Sequence, residues 1–337
     1  MKIMRCLQVC FIYIGAIIGA GFATGREIML YFGGSGMFSG IVAGILMGAL
    51  CGAFLLAAKS FKRLMGSDRK ALRAIGISIK CVLWVCTLAS FVCMVSGCEE
   101  IIEGSFSISN VGLWTGVLVS FLGICEMSVT RKLNTVIVPM IMVLLAVLSA
   151  QGDIAPIGGF DSGKVFGYCG MNVMMGGYII AEQEEEYLLK EIIFISVLCA
   201  FVFALSIALV YGISIDFKDA SMPIWEFAKK HGMSSLSGIV IYLAIFSTLI
   251  GCTKLICQEN SSVKIPRAFS VAMLIIFALL ALKFDFATIV GYCYPIIGVV
   301  GIAYTVFMLS LPFIYAFVDI KKSKSNIYKI KQKVKAK

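Results

Sequence analysis

Polar chemistry is scarce in this chain, and it is informative where it occurs because nearly everything around it is apolar. The stretch 13–27 holds Gly15, Gly19, Gly21 and Gly25 in a mostly hydrophobic run that ends Thr24, Gly25, Arg26, Glu27. Each glycine costs a helix interior about 1 kcal/mol relative to alanine, so this density predicts an unwound segment. Unwinding deep in a bilayer frees amides and carbonyls, which persist there only where they line a cavity or meet a ligand. The competing reading is close helix packing, because Gly15/Gly19 and Gly21/Gly25 both have small-xxx-small spacing. A second run, 163–178, is also interrupted by glycines and carries Asn172 near its middle. In a third, Ser247 and Thr248 place two hydroxyls side by side, suited either to an ion or to bonding back to the preceding turn's carbonyls.

Soluble catalytic patterns are missing. The sequence has no HExxH, no Walker loop and no GxSxG, and its one histidine, His231, lies in a polar segment. These absences predict a protein that is not an enzyme and needs no cofactor.

The elements that must position these groups follow from composition. Of 337 residues 60% are hydrophobic and only 14% charged, with a mean hydropathy of +0.98, which excludes an ordinary soluble protein. The net charge of +10 does not indicate nucleic acid, because the basic residues lie between apolar runs and at the C-terminus. Thirteen cysteines are scattered through apolar stretches without ligand spacing and read as small packing residues.

Ten crossings are predicted, at about 8–31, 37–58, 75–98, 111–128, 134–150, 163–181, 191–213, 235–256, 268–283 and 287–317. Lys2 and Arg5 ahead of the first run resemble a signal peptide. The run continues past its small residues to Tyr31, which predicts an uncleaved crossing instead. The last run is too long for one straight span, so it either tilts or begins at the interface around Tyr292 to Pro295. With the N-terminus inside, 23 of the 29 lysines and arginines fall on the inner side, which predicts two cytoplasmic termini. The acidic inner loop with Glu182, Glu184, Glu185 and Glu186 does not overturn this, since acids contribute little to the rule. The outer segment 214–234, with Pro223, Trp225 and Phe227, suits a short interfacial helix that is either a cap or a lid.

Glycine-broken first and sixth crossings occupy corresponding places in two five-helix halves, the sequence pointer to an inverted-repeat transporter. The halves are 1–150 and 151–320, followed by a basic cytoplasmic tail, 321–337.

The motif from Gly15 to Glu27 resembles the opening helix of the YkvI-like bacterial membrane proteins, relatives of the amino acid–polyamine–organocation and LeuT-type sodium symporters. The resemblance implies an all-α, ten-helix fold in a bacterial plasma membrane, with a 5+5 inverted repeat and broken first and sixth helices. It also implies a sodium site formed by the carbonyls of Gly15, Ile18 and Ala244 with the hydroxyls of Ser247 and Thr248. The amides of Ala20, Gly21 and Phe22 would receive a substrate carboxylate, while Gly170, Met171 and Asn172 would take its amino group. A second sodium site of these relatives needs an asparagine where this chain has Phe22, so none is expected. Arg26 is one residue away from the relatives' gating arginine. It is either a gate with Asp285 as partner or half of a loop-facing ion pair beside Glu27.

The function expected is sodium-coupled symport of a small amino acid or related compound by alternating access. The alternative is a membrane sensor or structural partner that keeps the fold without flux. A channel is disfavoured because no run offers a ring of charge or a repeated filter segment.

Overall fold

The structure is a computed structural model that describes residues 3–66, 70–123, 127–152, 156–181, 187–262 and 264–335. The acidic residues Glu182, Glu184, Glu185 and Glu186 and the final lysine of the basic tail lie outside these. Among the described residues the regular structure is entirely helical.

The first predicted crossing is three helices end to end: α1 (Ile3–Ile17), α2 (Ala20–Thr24) and α3 (Arg26–Phe32). The next four are α4 (Met37–Met65), α5 (Lys70–Phe106), α6 (Val111–Leu122) and α7 (Met127–Ser149). The sixth and seventh are α8 (Ser162–Ala181) and α9 (Leu189–Ser214), after which the short helix α10 (Pro223–Lys230) occupies the segment expected to hold one. The last three are α11 (Ser234–Ser262), α12 (Arg267–Ala281) and α13 (Phe286–Lys335). Five of these, α4, α5, α9, α11 and the apolar part of α13, are each long and apolar enough to cross a membrane unaided. The chain is a multi-pass membrane protein. Helix α13 runs unbroken through Tyr292 and Pro295, and its 50 residues would extend to roughly 75 Å, well beyond a bilayer.

The helices form two groups. Helices α1, α3 and α4 pack with α8 and α9, whereas α5 and α6 pack with α11 and α12, and the short α2 packs against α11. Helices α7 and α13 bridge between the groups. Each group therefore draws the corresponding members of both halves of the sequence, and the halves interleave instead of forming separate bodies.

Glycine spacing builds the tightest seam. Gly40, Gly44, Gly48 and Gly52 recur every four residues on one stripe of α4. A β-carbon on Gly40 would lie 2.6 Å from Ile207, and one on Gly44 would lie 2.5 Å from the Ala204 backbone. Those on Gly48 and Gly52 would collide with Ala200 and Ser196. The partner residues descend along α9 as the glycines ascend α4, so the two helices are antiparallel and meet backbone to backbone.

The same physics corrects the expected break in the sixth crossing, because α8 is continuous from Ser162 to Ala181. Gly170 lies where α8 crosses α13: a β-carbon there would strike the Gly298 carbonyl, and one on Gly301 would strike the Gly170 carbonyl. Gly167, Gly176 and Gly177 likewise leave room for Tyr31, for Tyr13 with Ile17, and for Phe54. These glycines serve contact with neighbouring helices, not unwinding.

Gly301→Ala should lower the melting temperature of the detergent-solubilised protein by an amount equivalent to about 1–3 kcal/mol, the usual cost of overpacking. Gly212 in α9 has nothing within 4 Å of its β-carbon position, so Gly212→Ala should melt at or slightly above the wild-type temperature. Equal melting of the two variants would show that the α8–α13 contact is looser than described.

Candidate functional site

The first crossing breaks where the sequence concentrates its glycines. Helix α1 ends at Ile17, and Gly19 is extended, with φ −104° and ψ −156°. The Gly19 amide, which in a continuous helix would serve the Gly15 carbonyl, donates instead to the Ile17 carbonyl at 2.7 Å. Six residues later the chain turns again at Gly25, whose φ of +78° is a left-handed conformation that a side chain resists. A β-carbon at Gly25 would also meet the Ser214 hydroxyl at 2.5 Å and Ile224 at 3.0 Å. This second turn separates the paths of two adjacent charged residues.

Arg26 goes to the loop between α9 and α10, where its Nη1 donates to the carbonyls of Lys218 at 3.2 Å and Ala220 at 3.1 Å. Glu27 goes inward and is only 4% exposed. Side chains on a helix lean towards its N-terminus, and this lean carries the Glu27 carboxyl back beside the break. The Tyr168 hydroxyl donates to its Oε1 at 3.2 Å. Its Oε2 lies 2.5 Å from where a β-carbon on Gly21 would be, with the Tyr294 hydroxyl 3.0 Å from the same point. Only glycine at 21 leaves space for both groups.

Around them is a cavity of about 60 Å³ at the junction of the two helix groups. Gly19, Gly21 and Glu27 line one side, Met171 and Asn172 another, and Ser90, Thr248 and Tyr294 complete its polar wall. Ligand pockets for drug-sized molecules are typically about 300–1,000 Å³, so this space is suited to an ion or one or two waters.

The residues expected to carry the site are distributed unevenly. Thr248 reaches the break, its Oγ1 lying 2.7 Å from the β-carbon position of Gly19. The hydroxyls of Ser247 and Thr248 both donate to the Ala244 carbonyl, at 2.9 and 3.0 Å, the back-bonding arrangement foreseen as the alternative to an ion. The Ile18 amide bonds to Ile14 and the Gly15 carbonyl loses its regular partner, as a broken helix requires. Gly21, Met171 and Asn172 line the cavity, with Asn172 Nδ2 donating to the Tyr168 carbonyl at 3.2 Å. Ala20 opens α2, Phe22 is fully buried away from the cavity lining, and Gly170 faces α13.

The gate pairing proposed from sequence is not formed here. Asp285 accepts from the Thr288 amide at 2.8 Å, and bonding to Thr288 holds its carboxyl below the ordinary carboxylate range. Arg26 serves the loop carbonyls, and a local pair between Arg26 and Glu27 is precluded by their divergence at Gly25. Sequence reading passed over Glu27, Tyr168 and Tyr294. The available signal for Glu27 was a carboxyl inside an apolar run, which in lipid is a functional group by default.

Along α5, contacts lie beyond the cavity in both directions from Ser90 and Met94. On the Arg26 face, α10 is amphipathic, with proline at its first turn, and buries Pro223, Ile224, Phe227 and Ala228. Ile224 presses on Gly25, while the Trp225 ring lies 2.9 Å from the β-carbon position of Gly104 on α5. On the opposite face, Lys80 Nζ bonds Glu259 at 3.0 Å, and Glu259 also accepts from the Tyr178 hydroxyl at 3.2 Å. Trp84 Nε1 donates to Asn260 Oδ1 at 3.0 Å beside that pair.

By sequence the chain matches no family profile and no curated protein. By structure it is similar to the inward-facing conformation of Mhp1, with a TM-score of 0.58 at 16% identity over 91% of this chain and 76% of that one. A closed conformation of Mhp1, described as a nucleobase-cation-symport-1 family transporter with bromovinylhydantoin bound, gives 0.51 at 16% identity, covering 84% and 73%. The Eremococcus coleocola manganese transporter, in complex with an aromatic bis-isothiourea compound, gives 0.55 at 14% identity, covering 90% and 77%. At such identities the likeness establishes the fold, which is the LeuT-like fold expected from the order of the crossings.

If Arg26 latches the loop over the break, Arg26→Ala should speed hydrogen exchange in the segment 218–222 without changing exchange in α4 and α9. Unchanged exchange at 218–222 would show that α10 is held by its apolar face alone.

Proposed function

We propose that this chain is a secondary active transporter that works by alternating access. The observation that carries this reading is the small polar cavity at the break in the first crossing, located between two helix groups. Two contacts of different chemistry, a loop held by Arg26 towards one face and an ion pair at Lys80 towards the other, give the protein two separate places to open. Rocking one group against the other would open them in turn.

Within that reading the chain is a sodium-coupled symporter of a small amino acid or related compound, and the glycine motif of the first crossing supports assigning it to the YkvI-like proteins. The position of Thr248 at the break supports a cation site there, with the released Gly15 carbonyl nearby in the chain. Neutral oxygen ligands favour a monovalent ion. Lysine and arginine counts support a cytoplasmic Lys80 face and two cytoplasmic termini, and the resemblance to the YkvI-like proteins supports a bacterial membrane. The Arg26 face then opens outward, and α10 is its lid.

Uptake into proteoliposomes from a mixture of labelled amino acids tests the proposal. Accumulation that requires a sodium gradient, and falls at least tenfold in Ser247→Ala/Thr248→Ala, is the expected result. Accumulation without sodium would retain the transporter and remove the ion. No flux under any gradient, with folded protein that is still stabilised by a ligand, would favour the sensor.

A further inference from the structure

The transport reading leaves one buried group without a task. Glu27 is an acid in the interior of the first crossing, and nothing charged faces it. The groups around it are Tyr31 on its own helix, Tyr168 from α8, Tyr294 from α13 and Cys93 from α5, all side chains that carry no charge near neutral pH. The other cavity-lining residues, including Thr248 from α11, are also uncharged. Arg26, its neighbour in sequence, is committed to the loop carbonyls. Among the described residues Glu27 has no ion pair, and its one side-chain hydrogen bond is that from Tyr168.

An ionised carboxylate removed from water costs several kcal/mol unless a cation or several donors compensate it. One tyrosine hydroxyl is not enough. The carboxyl must therefore carry a proton or face a positively charged guest. The surroundings suit the guest: the cavity borders the backbone released at Gly19 and is lined by the Asn172 amide and the hydroxyls of Ser90, Thr248 and Tyr294. Oxygen-rich sites of this kind bind hard cations and ammonium groups. The volume of about 60 Å³ admits a bare ion or the ammonium end of a larger molecule.

We infer that Glu27 is a cation-exchange site: its carboxyl is protonated when alone and gives up that proton to water as a cation, either a metal ion or a protonated amine, enters beside Gly21. For a monovalent guest the charge of the cavity is the same before and after, since one positive charge leaves as another arrives, whereas a divalent ion leaves the cavity with one net positive charge. This deepens the transport reading and alters one part of it. The amides of Ala20, Gly21 and Phe22 were expected to receive a substrate carboxylate, but a carboxylate placed at Gly21 would hold Glu27 in its protonated form and prevent the exchange. The break therefore receives the positive end of its guest.

Infrared difference spectroscopy of the purified protein tests this without requiring flux. Protein equilibrated in choline chloride is exchanged into sodium chloride, ethylammonium chloride or manganese chloride. The expected result is a protonated-carboxyl band in choline that is lost in at least one of the other salts, with release of a proton to a pH dye. The band should be absent from Glu27→Gln and shifted in Glu27→Asp, so that one poorly folded variant does not decide the matter. The salt that removes it distinguishes a sodium site, an amine-substrate site and a divalent-metal site. A band that survives all three salts, or no Glu27 band in choline, overturns the inference. Proton release without uptake in proteoliposomes would instead count against transport alone.

Discussion

Within a bilayer a backbone amide or carbonyl has no water to turn to, so every departure from helix must be met by protein. In this chain that requirement is concentrated at Ile18 and Gly19, where the first crossing stops and restarts. The neighbouring helices bring polar side chains to this break. Helix α11 brings Thr248 to Gly19, α8 brings Tyr168 and Asn172, and α13 brings Tyr294. The glycines of α8 and α13 let those two helices approach closely enough for their polar residues to share one small space. The site thus depends on seams that contain no site residues.

The division of labour among glycines explains how far the sequence could be read. Ten apolar runs, the short helix after α9 and the break in the first crossing are all visible in residue order, because hydrophobic length and helix-breaking density are local properties. The role of a glycine between unwinding and packing is not local. Gly19 and Gly25 break a helix, whereas Gly167, Gly170 and Gly176, at similar density, leave α8 intact because large partners or another backbone press on them. Similar spacing gives opposite results, and the deciding atoms lie on other helices.

The candidate site divides in the same way. Asn172 and Thr248 are conspicuous as polar residues in apolar surroundings, and both line the cavity. Glu27 is equally conspicuous, but its partner in sequence, Arg26, suggests a surface pair. Only the left-handed turn at Gly25 shows that the two point to different destinations. Tyr168 and Tyr294 give no sequence signal at all, since a tyrosine in an apolar helix is common and its hydroxyl partner is set by tertiary packing.

The size of the cavity sets a condition on whatever occupies it. A space with room for one or two waters cannot hold a hydrated ion, so an occupant must leave most of its solvent shell behind. Selection then rests on dehydration as much as on coordination. Magnesium, which holds its water tightly, is penalised before any ligand is compared, while sodium, manganese or an ammonium group pays less at the threshold. A cation entering so small a space would be sorted by how willingly it parts from water.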